Sequence, residues 1–367
     1  MLYLMLLTLL LVTLAAAMPS VYVSGYTDAE GQGIYLYDFD NASGNLTGGR
    51  LVAEAQQPSY FVINEATESL YALLEVTEYN NMSNTGAVQA FHRNPKDGSL
   101  TALNTVMTEG GAPCHGIIDR NKYIHVANYM GGSVSSFAIE DQGHISQIMS
   151  LNKHTDPATG GVPDRQEAPH AHSIDMIHPH WAISCDLGTD LAVIYKQNDT
   201  GRLERFSEFQ FPKGAGPRHV AITKDQQRVY VLTELSVEVY ALEFKDGQLS
   251  KIDHQSARPE DNMDFTTGAE IALTPDNRFL YASLREIDQV VMYKVDAASG
   301  KLTLIGHVSC GGIHPRQFTI DPSGKFLLLG NMNSNTIVVF SIDQTTGHLS
   351  ALHTIHHPQP TCIQFWK

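Results

Sequence analysis

Short runs of alternating apolar and polar residues cover almost the whole chain, as in VYVLTELSVEVYAL at 229–242 and KFLLLGNMNSNTIVVF at 325–340. Alternation with a period of two is typical of β-strands, because successive side chains point to opposite faces of a sheet. Turn sequences such as Asp321-Pro-Ser-Gly324 separate the runs. We find no apolar stripe with the helical period, so the pattern predicts an all-β protein.

The same arrangement of strands recurs seven times along the chain. Each unit begins with a proline or glycine and passes through an apolar strand, a polar turn and further strands, and the starting residues are Pro58, Pro113, Pro169, Pro217, Gly268, Pro315 and Pro360. The starting residues are 45 to 56 positions apart, a spacing typical of propeller blades or solenoid repeats. A later phrase, Gly300-Lys-Leu302 or Gly347-His-Leu349, opens a fourth strand. Each unit is therefore predicted to be a blade of four antiparallel strands.

The two ends of the chain complement each other. The last unit, PTCIQFWK, supplies a single strand, whereas the first segment has strands at Val21–Tyr26, Gly33–Asp40 and about Arg50–Gln56 but lacks an inner strand. Pairing of these two segments would complete one blade and leave no open sheet edge. We therefore predict a closed seven-bladed β-propeller that forms one domain over residues 18–367, although the length alone would suggest about two domains.

Residues 1–17, MLYLMLLTLLLVTLAAA, are apolar and end in small residues, as in a secretory signal peptide. They could instead be a retained membrane anchor, or a leader that is not translated if synthesis starts at Met18. Four sequons, at Asn41, Asn45, Asn81 and Asn198, favour secretion. We expect a secreted protein without stable membrane insertion, or a cytoplasmic one if Met18 is the first residue.

The net charge and the cysteine spacing exclude some classes of binding partner and of metal site. Lys and Arg number 24 and Asp and Glu number 39, which gives a formal net charge of −15. An acidic chain lacks the positive surface that nucleic acid or an anionic membrane requires, so we expect neither as a partner. The cysteines lack the short spacings of a metal site, and we predict that they are small buried residues: Cys114, Cys185, Cys310 and Cys362.

Residues that follow the starting positions should converge at one mouth of the central channel, where propellers bind small ligands. They are His115, His170, His172, Arg218, His219, Glu270 and Arg316. The ends of the second strands add Asn128, Asp186, Glu234, Arg285 and Asn331. A cluster rich in guanidinium and imidazole groups in an acidic protein predicts an anionic small ligand. The alternative is that these residues only fill the channel with ion pairs.

The phrase HAHSIDMIHPH contains four histidines, His170, His172, His178 and His180. The last two occupy a turn, so we expect them in solvent at the far end of the strand, and we predict no metal site. His356 and His357 are also expected to be exposed. No Walker, GxGxxG, GxSxG or HExxH motif is present, so no cofactor is expected.

Three segments resemble a known family: PHAHSID with CDLGTDLAVIY, GPRHVAI with VYVLTELSVEVYAL, and HPRQFTIDPSGKFLLLGNMNSNTIVVFSID. They are similar to the lactonase family of seven-bladed propellers, which includes propeller-type 6-phosphogluconolactonases and fungal carboxy-cis,cis-muconate lactonizing enzymes. The resemblance implies a cofactor-independent enzyme that opens or forms a lactone on an anionic sugar acid or diacid. It also implies that the family's channel histidine is His170 or His172, and that its other site residues are Arg218, Glu234, Arg285 and Arg316.

Roles follow from the chemistry of lactone hydrolysis, which needs an activated water and a donor for the developing oxyanion. Glu234 or His172 is the candidate base and Arg218 the electrophilic partner, so the predicted catalytic residues are His172, Arg218 and Glu234. Arg285 and Arg316 would hold a phosphate or carboxylate. The remaining predicted substrate-binding residues are His115, His170, His219, Glu270 and Asn331.

Three functions remain open on the sequence. The first is hydrolysis of an anionic sugar-acid lactone, with 6-phosphogluconolactone as the expected substrate. The second is a lactonizing cycloisomerase acting on a carboxymuconate-like diacid. The third is a secreted propeller without catalysis that binds a protein or a glycan, because the propeller fold alone does not determine function.

Overall fold

Seven four-stranded antiparallel sheets surround a central channel in a computed structural model that describes residues 20–28, 30–177, 180–262 and 264–366. The inner strands of neighbouring blades contact each other around the ring. The predicted all-β, seven-bladed fold is therefore confirmed. Residues 1–17, for which we predicted a signal peptide, lie outside the described residues.

The strands follow the predicted repeat. The first part of blade 1 is β1 (Ser20–Gly25), β2 (Gly33–Phe39) and β3 (Leu46–Glu54). Blade 2 runs through β4 (Pro58–Asn64), β5 (Ser69–Leu74), a separate hairpin of β6 (Glu78–Tyr79) and β7 (Met82–Ser83), then β8 (Ala87–Arg93) and β9 (Leu100–Met107). Blade 3 is β10 (Pro113–Asp119), β11 (Tyr123–Asn128), β12 (Ser133–Ala138) and β13 (Ser150–Lys153). Blade 4 is β14 (Ala171–Ile177), β15 (Trp181–Asp186), β16 (Leu191–Gln197) and β17 (Leu203–Gln210).

The remaining blades have the same plan. Blade 5 is β18 (Pro217–Ile222), β19 (Arg228–Thr233), β20 (Glu238–Lys245) and β21 (Gln248–Ser256). Blade 6 is β22 (Gly268–Leu273), β23 (Phe279–Leu284), β24 (Gln289–Val295) and β25 (Leu302–Ser309). Blade 7 is β26 (Pro315–Ile320), β27 (Phe326–Asn331), β28 (Thr336–Ile342) and β29 (Leu349–His356), and β30 (Pro360–Trp366) follows it. Single turns of 3-10 helix lie at Glu65–Thr67 and Asp141–Gly143.

Strand β30 closes the ring by becoming the inner strand of blade 1. It pairs antiparallel with β1, with Tyr22 opposite Gln364 and Val23 opposite Ile363. The order of strands across this blade is β3-β2-β1-β30. Five of the six residues of β1 are buried, so the closing pair is part of the core of the propeller.

A tyrosine on the second strand of a blade repeatedly binds a glycine turn of the next blade. The hydroxyl of Tyr230 donates to the carbonyl of Gly300 at 2.9 Å, and Tyr281 does the same to Gly347 at 2.8 Å. Both glycines have a positive φ, 73° and 77°, which an L side chain rarely adopts. The recurrent glycine phrase in the sequence is thus part of an inter-blade contact, at the edge of an apolar core between blades.

The four cysteines are buried and free, as predicted for small apolar residues. Among the residues that the structure describes, no helix is long and apolar enough to cross a membrane.

Candidate active site

The inner strands begin at one mouth of the channel, and bulges orient the side chains there. The pairing of inner and second strands shifts between Ala171 and Ser173, between Pro217 and His219, and between Pro315 and Gln317. The residues inside these shifts are His172, Arg218 and Arg316. A bulged residue has no partner in the strand ladder, so its side chain can leave the ordinary alternation. Three groups that are distant in the sequence thereby surround one axis.

Glu234 follows β19 directly, and its carboxylate contacts three arginines. Nε of Arg218 donates to Oε2 at 3.0 Å, Nη2 of Arg285 lies 2.9 Å from Oε1, and Nη2 of Arg165 donates to the same Oε1. Glu234 is only 1% exposed. Burial alone would raise the pKa of Glu234, but the guanidinium groups of Arg285, Arg218 and Arg165 outweigh burial and hold this pKa well below its usual range. Glu234 is therefore ionised, and guanidinium groups bind both of its carboxylate oxygens.

Three histidines form a layer beside this carboxylate. The ring of His219 lies 5.2 Å from that of His172 and 5.0 Å from that of His115, between centroids. Nε2 of His172 is 3.8 Å from Oε2 of Glu234. Burial, followed by the charge of Arg218, holds the pKa values of His172 and His219 well below the usual range. These imidazoles are neutral at physiological pH, and a neutral imidazole can accept a proton.

Deeper in the channel the histidine layer meets a carboxyl group. Nδ1 of His219 lies 3.1 Å from Oε1 of Glu270, and the ring of His115 packs on Tyr60 at 4.6 Å. Burial raises the pKa of Glu270 to about 7, although Arg218 acts in the opposite direction. Burial also lowers the pKa of Arg218 to about 10, with Arg285 contributing. Burial at the centre of the channel therefore disfavours the charged forms of Glu270 and Arg218.

Arg316 has its own counter-ion. Its Nη2 donates to the hydroxyl of Tyr26 at 2.8 Å, and that hydroxyl donates to Oε2 of Glu75, also at 2.8 Å. The guanidinium is 3.7 Å from the same carboxylate oxygen. These contacts join blades 7, 1 and 2, and they balance the charge of Arg316 locally.

The structure separates the two histidines between which the sequence could not choose. His172 lies beside Glu234, whereas His170 stacks on Tyr129 with 4.4 Å between centroids. Nδ1 of His170 is 3.1 Å from the backbone carbonyl of Tyr129, and Nε2 is 3.0 Å from Oε1 of Glu167. His170 thus supports the rim of the mouth, and His172 is the histidine that faces the arginines.

Asn331 binds the framework of blade 7. It is fully buried, and its amide donates to the carbonyl of Cys310 at 3.1 Å. Asn128 and Asp186, at the same position in other blades, also bind within the blade framework: Asn128 donates to Ser135, and Asp186 accepts from the backbone of His170. Of the second-strand ends named from the sequence, Glu234 and Arg285 are the ones that join the arginine cluster.

The remaining histidines give one correction. His180 and His356 are exposed, as predicted, and His178 lies outside the described residues. The prediction for His357 was wrong: the residue is fully buried, and its Nδ1 is 2.7 Å from the hydroxyl of Tyr37. The backbone N–H of His357 donates to the carbonyl of Asn335 in blade 7 at 2.9 Å, so the ring lies between blades 7 and 1. In the described part of the chain, no group of three or more His, Cys, Asp or Glu side chains is arranged to hold a metal ion.

Comparison with known proteins agrees with this architecture. The family described as Lactonase, 7-bladed beta-propeller matches residues 20–365. The chain belongs to this lactonase family. A 6-phosphogluconolactonase of Bacillus subtilis strain 168 is 34% identical over 349 residues, covering 94% of this chain and 97% of the relative. A 6-phosphogluconolactonase of Formosa agariphila is 31% identical over 344 residues, covering 90% and 95%. The solved structure of the periplasmic gluconolactonase of Pseudomonas aeruginosa superimposes with a TM-score of 0.88 at 27% identity, covering 95% of this chain and 99% of that one.

Several residues of this lactonase-family site were not predicted from the sequence. Tyr26, Glu75 and Tyr129 each follow a second strand directly, and this is the position that Glu234 and Arg285 occupy in later blades. The repeat therefore contained the signal for them. Arg165 lies in the long connection between blades 3 and 4, where the repeat assigns no position.

Proposed function

We propose that this protein hydrolyses the lactone of an anionic sugar acid, and that 6-phosphogluconolactone is the substrate that fits the site best. The proposal depends on one observation: three guanidinium groups surround the single carboxylate of Glu234 at the mouth of the channel. The names of the Bacillus subtilis and Formosa agariphila relatives support the same reaction.

The charges near Glu234 favour an anionic ligand. Arg165, Arg218 and Arg285 bring three positive charges to the one carboxylate that they share, and the side chains of Arg218, Arg285 and Glu234 are buried. An unbalanced buried charge is unfavourable, so a ligand that supplies negative charge is stabilised there. A phosphate monoester carries a charge of about −2 at neutral pH and accepts the paired hydrogen bonds of a guanidinium group.

His172 is the best placed base. A water molecule that attacks the lactone carbonyl would give its proton to the neutral imidazole, and Arg218 would donate to the oxygen that becomes negative. The ring C–O bond then breaks, and the leaving oxygen takes the proton from His172, which yields the open hydroxy acid. Glu234 serves this reaction by holding Arg218 and Arg285, because both of its carboxylate oxygens are occupied by guanidinium groups.

Proton release from freshly prepared 6-phosphogluconolactone, followed in a pH-stat, tests the proposal. The protein should accelerate release above the spontaneous rate, and His172→Gln should reduce kcat by about 10²-fold, as expected for loss of a general base. His348→Gln, which changes an exposed histidine in a turn of blade 7, is the matched control and should keep the parent rate. An unaccelerated reaction with the parent protein would refute the proposal.

Hydrolysis of the uncharged glucono-1,5-lactone is the second candidate. It is supported by the likeness to the periplasmic gluconolactonase of Pseudomonas aeruginosa. The two substrates are compared in the same assay, and the proposal requires a higher kcat/KM for the phosphorylated lactone. Turnover of a carboxymuconate alone would favour the cycloisomerase, and turnover of none of the three would favour a binding propeller.

Export remains our proposal for the compartment, based on the apolar residues 1–17. Asn41 and Asn81 lie in exposed turns that a glycan could reach. Cleavage after Ala17 and initiation at Met18 would both leave Met18 as the first residue, so mass spectrometry of the sequons of the protein purified from its natural host tests this. A glycan on Asn41 or Asn81 supports export, and a protein that is found only in the cell interior with both asparagines unmodified contradicts it.

A further inference from the structure

The connection between β13 and β14, residues 154–170, is longer than the other connections between blades, and one of its side chains contacts Glu234 at the mouth of the channel. Gln166 fixes it in place. The Gln166 side chain is fully buried, and its Nε2 donates to the carbonyl of Leu187 at 2.8 Å and to Oδ1 of Asp190 at 2.7 Å. Thr159 donates to Oδ2 of the same aspartate at 2.7 Å. The 154–170 loop is therefore a fixed part of the site.

Arg165 extends from this loop to Glu234. Its backbone N–H donates to the carbonyl of Val162 at 2.9 Å, next to the buried Gln166, so the position of the side chain is constrained. The guanidinium donates to Glu234 and, at 3.3 Å, to the hydroxyl of Tyr129. These contacts place it on the outer side of the carboxylate, between the cluster and solvent.

The three arginines on Glu234 differ in how far their side chains are exposed to solvent. The side chain of Arg218 is 3% exposed and that of Arg285 is 10% exposed, and each also donates to a backbone carbonyl of the strand that begins blade 6. The side chain of Arg165 is 36% exposed. A guanidinium has five N–H donors, so Arg165 has donors left for a ligand that arrives from solvent.

We propose that Arg165 is a specificity-determining residue, which binds the phosphate of the substrate and thereby selects phosphorylated over uncharged lactones. This inference rests on the proposed function. Arg316, which the sequence suggested as an anion clamp, is less suited to this role because Glu75 and Tyr26 already balance its charge.

Replacement of Arg165 with two lactones as substrates tests the proposal. Arg165→Met should lower kcat/KM for 6-phosphogluconolactone by at least about tenfold, mainly through KM, and should change kcat/KM for glucono-1,5-lactone by less than about twofold. Arg165→Lys keeps the charge without the planar fork and should restore part of the loss. Arg202→Met, at an exposed arginine of a turn in blade 4, is the control for loss of one positive charge.

Equal losses for both lactones would overturn the proposal, because Arg165 would then act only through Glu234 or the loop. An unchanged kcat/KM for the phosphorylated lactone would also overturn it. If the parent protein hydrolyses neither lactone, the proposed function fails separately, and calorimetric titration with 6-phosphogluconate and gluconate decides the role of Arg165. The role stands if Arg165→Met weakens binding of 6-phosphogluconate alone, and it falls if the parent binds neither acid or the variant binds both as the parent does.

Discussion

The two mouths of the channel are formed by opposite ends of the same seven inner strands, and they differ in the buried charged side chains that they contain. At the mouth where the inner strands begin, bulges and short turns gather arginine, glutamate and histidine side chains with little exposure. At the opposite mouth, where the strands end, a cavity of about 530 Å³ is lined mainly by uncharged residues, and Lys224 is the charged one among them. Buried charge without full compensation therefore distinguishes the candidate site from the opposite mouth.

The largest expected effect on activity comes from replacing Arg218 at the charged mouth, and Lys224 at the opposite mouth provides the matched comparison. Arg218→Met removes the proposed oxyanion donor and should lower kcat for lactone hydrolysis by about 10³-fold. Lys224→Met removes the cation of the opposite mouth and should leave kcat unchanged. The measurement is proton release at saturating lactone, with circular dichroism to verify folding. Similar losses in the two variants would mean that both mouths contribute to the reaction.

Glu234→Gln tests whether the charged mouth is held together by its single carboxylate. Removing this partner leaves three guanidinium groups close together, and breaking a buried ion pair in this way costs about 3 kcal/mol. We expect a lower free energy of unfolding in urea, and we expect added inorganic phosphate to stabilise the variant more than the parent. If phosphate stabilised the variant and the parent equally, the positive charge of the three arginines would have to be balanced by a group other than Glu234.

Glu270→Gln tests the deeper layer through pH. The pKa of Glu270 is about 7 in the folded protein, against an ordinary value of 4.5. The folded state therefore holds this proton more tightly than the unfolded chain, and stability is lost as the pH rises from the ordinary value through 7. The glutamine of the variant does not titrate in this range, so the variant does not lose this stability as the pH rises. The free energy of unfolding of the variant minus that of the parent should therefore be larger at about pH 8 than at about pH 5. The free energy of unfolding at both pH values provides the measurement, and a pH-independent difference would contradict the assignment.

The smallest effect is expected far from either mouth. Tyr230→Phe removes the hydrogen bond to Gly300 in the next blade and should cost about 1 kcal/mol, the usual value for a neutral hydrogen bond. Activity should not change, because this contact maintains the ring without touching the channel. A clear loss of kcat in the folded variant would show instead that the packing between blades affects the geometry of the site.

The repeat made the fold predictable, and it made part of the site predictable for the same reason. Arg218 and Glu234 stand at fixed positions in their unit, so the number of blades and the direction of the inner strands were enough to bring them to one axis. The choice between His170 and His172 needed the bulge after Ala171, which the sequence pattern does not reveal. The sequence also could not assign the base, because the guanidinium groups that occupy both oxygens of Glu234 come from separate blades and from a loop.

The contacts of Arg165 and His357 could not be predicted from the sequence pattern. Both lie in connections between blades, where no period relates a residue to its neighbours in space. Arg165 reaches a carboxylate 69 positions away, and His357 reaches a tyrosine 320 positions away. Contacts of this kind depend on how a loop crosses the surface, and hydrophobic alternation carries no information about that path.

The closure of blade 1 has a consequence for biosynthesis. Ser24 and Thr361, which are 337 positions apart, are hydrogen-bonded across the last seam. The β1 edge leaves the ribosome early and has no partner until β30 has been made, so the nascent chain must carry an unprotected strand through nearly the whole of translation. A free strand edge of this kind can pair with other chains. The time between the synthesis of β1 and that of β30, and any chaperone that covers β1 during this time, therefore help to determine how much of the protein folds correctly.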